Sequence, residues 1–148
     1  MLPDSLPLRV LVVDDNRDAA DTLGDLLGLC GAEVRVCYGG EAALELAATF
    51  RFDAGVLDVN MPGMDGCELA RRLLGLARPR RVLLVALTGV SDPSARQKTA
   101  EAGFDLHLTK TTAPDVLAAA LTAFARWLRE HPGQCGPADS TGTQAAGE

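Results

Sequence analysis

The sequence predicts an α/β protein: a parallel sheet with helices on both faces, a three-layer sandwich. Three observations predict it. Short apolar runs alternate five times with longer helical patterns, and strict strand–helix alternation implies parallel crossover units. The run at residues 81–87 is almost continuously apolar, as a strand buried on both faces is. Four of the five runs end in a polar residue that a core would not select, and open parallel sheets bind ligands at the carboxyl ends of their strands.

Taken in order, the first strand is Val10-Leu11-Val12-Val13, and the segment after it sets Leu23, Leu26, Leu27 and Cys30 on one helical face. A shorter strand at 33–37 follows Gly31. Residues 41–50 are rich in Ala, Leu and Glu, strong helix formers, and predict the second helix. Ala54-Gly55-Val56-Leu57 is the third strand and 67–76 the third helix. After the strand at 81–87, Asp92-Pro93 opens a helix, since proline at the first helical position has its φ already set, and Gly103 ends it. Residues 105–109 form the fifth strand. The last helix is expected to start at Thr112, with Asp115 three residues on as in a capping box. Its apolar stripe is Val116, Leu117, Ala120, Leu121, Phe124, Trp127 and Leu128.

At 148 residues there is room for one domain with a real core, and aromatics at 4% leave that core to Leu, Val and Ala. From residue 131 on, Pro, Gly, Ser, Thr, Gln and Ala dominate and periodicity vanishes. The expected division is a domain at 8–130 and a disordered tail at 131–148, too short to be an output domain. A net charge of −6 disfavours nucleic acid and anionic membranes as partners. No apolar run approaches the length of a membrane span. Residues 1–9 hold Asp4 and two prolines instead of a basic segment leading into an apolar one. Neither membrane insertion nor a secretory signal is expected, and the cytoplasm is the default compartment. Cys30, Cys37, Cys67 and Cys135 lack C-x-x-C spacing and matching His pairs, which reads as reduced thiols. Cys30 and Cys37 are expected in or near the core, and Cys135 exposed.

The chemistry gathers at strand ends. The first strand runs into Asp14-Asp15, the third into Asp58, the fourth into Thr88 and the fifth into Lys110. Those termini should converge on one cleft. Three carboxylates together raise one another's pKa unless a cation sits among them, and all-oxygen ligation with positions left for water suits Mg²⁺. A carboxylate can also attack phosphorus and become an acyl phosphate. Lys110 would supply a point charge to a phosphoryl oxygen, and the Thr88 hydroxyl a hydrogen bond to another. The chain uses twelve Arg but two Lys, and one of those lysines ends a strand. Taken singly, each residue reads equally well as a turn, a helix cap or a packed side chain; their joint placement gives them weight.

Val12-Val13-Asp14-Asp15-Asn16, Leu57-Asp58-Val59-Asn60-Met61-Pro62-Gly63-Met64-Asp65-Gly66, Leu87-Thr88-Gly89 and Ala102-Gly103-Phe104-Asp105 with Lys110 resemble the response-regulator receiver domain, of the chemotaxis-regulator kind, over residues 8–129. The resemblance implies a flavodoxin-like (βα)5 fold of strand order 2-1-3-4-5, with Asp58 as phosphoacceptor. It implies that Asp15, Asp58 and the Asn60 backbone carbonyl hold Mg²⁺ directly, while Asp14 acts largely through water. Thr88 and Lys110 would bind the phosphoryl group, and Thr88 with His107 would form the switch. The implied role is a stand-alone receiver in a two-component or phosphorelay system. It would take the phosphoryl group from a histidine kinase or histidine phosphotransfer protein, signal by partner binding or onward transfer, and turn over no metabolite.

Two positions depart from the family pattern. Thr111 stands where the family usually has a cis proline. A cis bond before a non-proline residue costs about 2.5–4 kcal/mol, so Lys110–Thr111 is expected to be trans. His107 stands where Tyr or Phe is usual, and with Gly103-Phe104-Asp105-Leu106 before it is similar to receivers associated with hybrid histidine kinases. It reads either as a switching residue or as a packed one. Other classes fit less well. A pseudo-receiver working without phosphate has no need of the intact set Asp14, Asp15, Asp58, Thr88 and Lys110. A phosphatase of the haloacid dehalogenase type needs D-x-D where Asp14-Asp15-Asn16 stands, and a flavin carrier needs a phosphate loop where Arg17-Asp18-Ala19 stands.

Overall fold

Five strands and five helices alternate along the chain in the computed structural model, which describes residues 8–89, 93–110 and 114–131. They are β1 (Arg9–Val13), α1 (Arg17–Leu29), β2 (Glu33–Cys37), α2 (Gly40–Ala47), β3 (Ala54–Asp58), α3 (Gly66–Ala77), β4 (Leu83–Thr88), α4 (Pro93–Ala102), β5 (Leu106–Thr109) and α5 (Pro114–Glu130). All strand pairs are parallel and the order is β2-β1-β3-β4-β5, as the resemblance implied. Strand order reverses between β1 and β3. Register aligns the strand ends there: Val13 is level with Cys37 and Leu57, Asp58 with Leu87, and Thr88 with Thr109.

Period-two alternation along β1 divides the core between the two faces. Leu11 and Val13 join Leu57, Leu69, Leu73 and Leu84 on the side of α2, α3 and α4. Val10 and Val12 join Ala20, Leu27, Leu117, Leu121 and Leu128 on the side of α1 and α5. Every residue of β3 is buried. Full burial of a Val or Leu side chain contributes about 1.5–3 kcal/mol, so β1, β3 and β4 are the firmest part of the molecule. Asn16 caps α1 by accepting from the Ala19 N–H (3.1 Å), and Asp65 caps α3 by accepting from the Glu68 N–H (2.9 Å). Gly66 lets α3 begin against the end of β3, where a Cβ would meet the Asp58 carbonyl oxygen at 2.6 Å. Gly103, at φ +106°, closes α4.

All ten elements were legible in outline, but several limits and faces differ. The helix expected over 41–50 ends at Ala47, because the chain turns to bury Phe50, whose N–H donates to the Leu46 carbonyl at 2.8 Å. α1 buries Ala20, Gly24 and Leu27 and leaves Leu26 on its rim. At Gly24 a Cβ would meet Val36 at 2.7 Å, so that glycine brings the helix down on β2. Arg81 and Asp105 stand just outside β4 and β5, paired with each other at 2.9 Å, and Asp105 also accepts from the Leu84 N–H at 2.9 Å. On α5, Val116 faces outward and Ala125 inward. Cys37 and Cys67 are buried, Cys30 half-buried, and all three are free thiols. Among the described residues no helix is long and apolar enough to cross a membrane. Asp92, Thr111, Thr112, Cys135 and residues 132–148 lie outside the described residues.

Candidate functional site

Asp14 follows β1 and Asp58 ends β3, and the chain uses one device at both. Asp14 Oδ1 accepts from the Asn16 N–H at 2.9 Å, and Asp58 Oδ1 from the Asn60 N–H at 3.0 Å. Each carboxylate thus folds back onto the backbone two residues on. Both Oδ2 atoms are left to the cleft, where Lys110 Nζ lies 3.0 Å from that of Asp14 and 3.4 Å from that of Asp58. The Lys110 N–H donates to the Thr88 carbonyl at 2.7 Å, which ties the end of β5 to the end of β4 and aims the lysine inward. Asp14 and Asp58 are buried and Asp15 is exposed, yet one oxygen of each lies within 4.8 Å of the others. A groove of about 450 Å³ opens beside Asp14 and Lys110 and runs between α1 and α5.

Burial pushes the Asp58 carboxyl up to about 6, the Asp14 carboxylate adding to the rise while the Asn60 N–H and Lys110 oppose it. Burial also works against the Lys110 charge, but Asp14 and Asp58 more than offset it and hold the ammonium above its usual range. The Lys110 ammonium pairs with two of the three clustered carboxylates, Asp14 and Asp58. The donor set is all oxygen, partly exposed through Asp15, and suits a hard divalent cation that keeps some of its waters. The residues fit Mg²⁺.

Thr88 is buried at the end of β4, and its Oγ1 accepts from Asn60 Nδ2 at 3.2 Å. Beyond it lies a second cavity of about 360 Å³, whose walls include Asn60, Thr88, Cys67, Lys98 and His107. There His107 Nδ1 is 3.0 Å from Thr99 Oγ1, on α4. The structure therefore brings Asp14, Asp15, Asp58 and Lys110 into one cluster and joins Thr88 to it through Asn60, while His107 stands in the wall of the neighbouring cavity. Sequence reasoning used only the backbone carbonyl of Asn60 and missed its side chain. It also missed Thr99, since a helix-to-strand contact leaves no periodic signal.

A parallel sheet of this order with an acidic cleft at its switch point defines a class, the doubly wound α/β modules that bind ligands at strand ends. The family model described as the response regulator receiver domain matches residues 10–122, and the chain belongs to that family, whose members act in two-component signalling. The response regulator MprA of Mycolicibacterium vanbaalenii is 36% identical over 141 residues, covering 95% of this chain and 57% of that protein. MprA of Mycobacterium tuberculosis is 37% identical over 121 residues, covering 82% and 52%. The chain thus spans little more than half the length of these relatives. Among solved structures, the BeF3-activated DrrB receiver domain is 30% identical with a TM-score of 0.71, covering 80% of this chain and 97% of that one. A response regulator from Burkholderia pseudomallei, solved with a phosphorylated aspartic acid and a calcium ion, is 26% identical with a TM-score of 0.73, covering 85% and 73%. The CheY-like receiver domain protein of Methanospirillum hungatei shares the fold, with a TM-score of 0.76 at 23% identity and coverage of 84% and 98%.

Proposed function

We propose that this chain accepts a phosphoryl group on Asp58 from the phosphohistidine of a kinase or phosphotransfer protein. One observation supports this above the others: Asp58 Oδ1 is held by the backbone while Oδ2 faces the cleft and Lys110. Oδ2 attacks phosphorus in line, the P–N bond of the donor breaks, an acyl phosphate forms, and the released imidazole nitrogen takes up a proton from solvent. Lys110 keeps its charge and binds a phosphoryl oxygen, and Thr88 turns its hydroxyl to another. Asp15, Asp58 and the Asn60 backbone carbonyl would hold Mg²⁺, with Asp14 acting largely through water. Bound there, Mg²⁺ would supply positive charge to neutralise that building on the transferred group. The chain turns over no metabolite; it acts as a cytoplasmic domain at 8–130 that signals by partner binding or onward transfer, with Thr88 and His107 as its switch.

Incubation with Mg²⁺ and either a phosphohistidine donor or a small acyl-phosphate donor should add one phosphoryl group, read by intact mass. Asp58→Asn should remove the adduct. Equal yield on the variant would place the nucleophile elsewhere.

A further inference from the structure

We propose that the Asn60 side chain answers phosphorylation by moving its hydrogen bond from Thr88 to His107, and that Thr99 is the positioning residue that readies the imidazole for it. The proposal rests on Asp58 being the phosphoacceptor. A hydroxyl has one proton, and Thr99 donates its own to the Arg96 carbonyl at 3.0 Å. At the 3.0 Å contact with His107, Thr99 Oγ1 therefore accepts and Nδ1 carries the hydrogen. In the neutral ring this leaves Nε2 with a bare lone pair, and Nε2 is buried with no hydrogen-bond partner among the described residues. An unsatisfied buried acceptor is unfavourable and is seldom tolerated without a reason.

His107 shares the 360 Å³ cavity with Asn60 and Thr88. Two polar groups in its wall are engaged, the Cys67 thiol on the Lys98 carbonyl at 3.8 Å and Asp65 Oδ1 on the Glu68 N–H, and Lys98 is the rival donor there that a coupling to Asn60 distinguishes. Asn60 Nδ2 now donates to Thr88 Oγ1. When a phosphoryl oxygen at Asp58 draws that hydroxyl, Thr88 turns about its one relevant torsion and parts from the amide. The Asn60 backbone stays in place, because its N–H is held on Asp58 Oδ1. A released N–H donor and a bare Nε2 acceptor then face one cavity, and joining them satisfies both. With both nitrogens bonded, the imidazole locks the buried Thr99 of α4 to the phosphorylation site.

Ring-nitrogen NMR tests this on the full chain, which has two histidines. The other, His131, has Nδ1 2.8 Å from the Trp127 carbonyl. Beryllofluoride with Mg²⁺ stands in for the phosphoryl group, and bound fluoride is followed separately. Without it, His107 should show a protonated Nδ1 and an Nε2 free of hydrogen bonding. Thr99→Val should scramble that tautomer. On loading, Nε2 should shift as a hydrogen-bonded acceptor and show nitrogen–nitrogen coupling to the Asn60 amide, and Asn60→Ala should abolish the shift. Bound fluoride with an unmoved Nε2, or with a shift but no coupling to Asn60, overturns the relay. No bound fluoride in the parent protein overturns the Asp58 reading itself.

Discussion

The sheet has a firm half and a yielding one. β1 and β3 are sealed on both faces, β3 at every residue, and they supply Asp14 and Asp58. β5 is half-buried at all four residues, and α4 beside it buries Thr99 and Ala102. The carboxylates that need fixed geometry thus stand on the part with the most apolar burial. Lys110 and His107, which the proposed switch would ask to respond to a change of charge, stand where less holds them. Local stability follows buried apolar contact, so the same sheet can keep a reaction geometry at one place and reshape itself at another.

The strongest way to break this comparison is to hollow each half. Leu57→Ala removes a fully buried side chain and should cost about 2–5 kcal/mol in a urea melt, with Leu108→Ala on β5 costing less than half as much. Equal losses would mean that the halves are equally firm. Next in size is the effect of metal. Mg²⁺ at about 100 times its Kd should stabilise the protein by about 2.7 kcal/mol, and Asp15→Ala should lose most of the shift in melting temperature. If the variant responds like the parent, Asp15 is no ligand and the cation is held by the buried carboxylates without it.

The smallest effect concerns pH in metal-free protein. The folded Asp58 carboxyl sits at about 6, above its ordinary range near 4, so its contribution to stability is complete below about pH 4 and is lost as pH rises through about 6. Asp58→Asn should therefore stabilise the metal-free protein at pH 7.5, with the difference about halved at pH 5 and closed below about pH 4. A pH-independent difference would show that the burial cost of this carboxylate is met by Lys110 alone.

Most of the firm half was legible in the sequence, because continuous apolar runs and the acids that end them are local features. The strands at 33–37 and 54–57 were placed to within a residue. What escaped came from packing between elements. Nothing in residues 41–50 as a string says that Phe50 must leave the helix to reach the core. Leu26 and Val116 fit a helical stripe as well as Leu27 and Leu117 do, and only the approach of neighbouring elements decides which are covered. At the site, the roles assigned to Asp58, Thr88 and Lys110 came from strand ends and family motifs. The side chains of Asn60 and Thr99 came into view only with coordinates, because their partners are distant in the chain.

The strand order also bears on how the chain is made. β1 emerges first but lies inside the sheet, with β2 on one flank and β3 on the other. A nascent chain that has reached β2 can cover one flank of β1, but the other must wait for residues 54–58, and the pocket of acids closes only when Lys110 arrives. During synthesis Val10 to Val13 therefore form an open strand edge of high β propensity, the kind of segment that pairs with other chains. The acids that follow it, Asp14 and Asp15, put repelling charge at the end of that edge, so the residues that make the site also discourage association before the fold is complete.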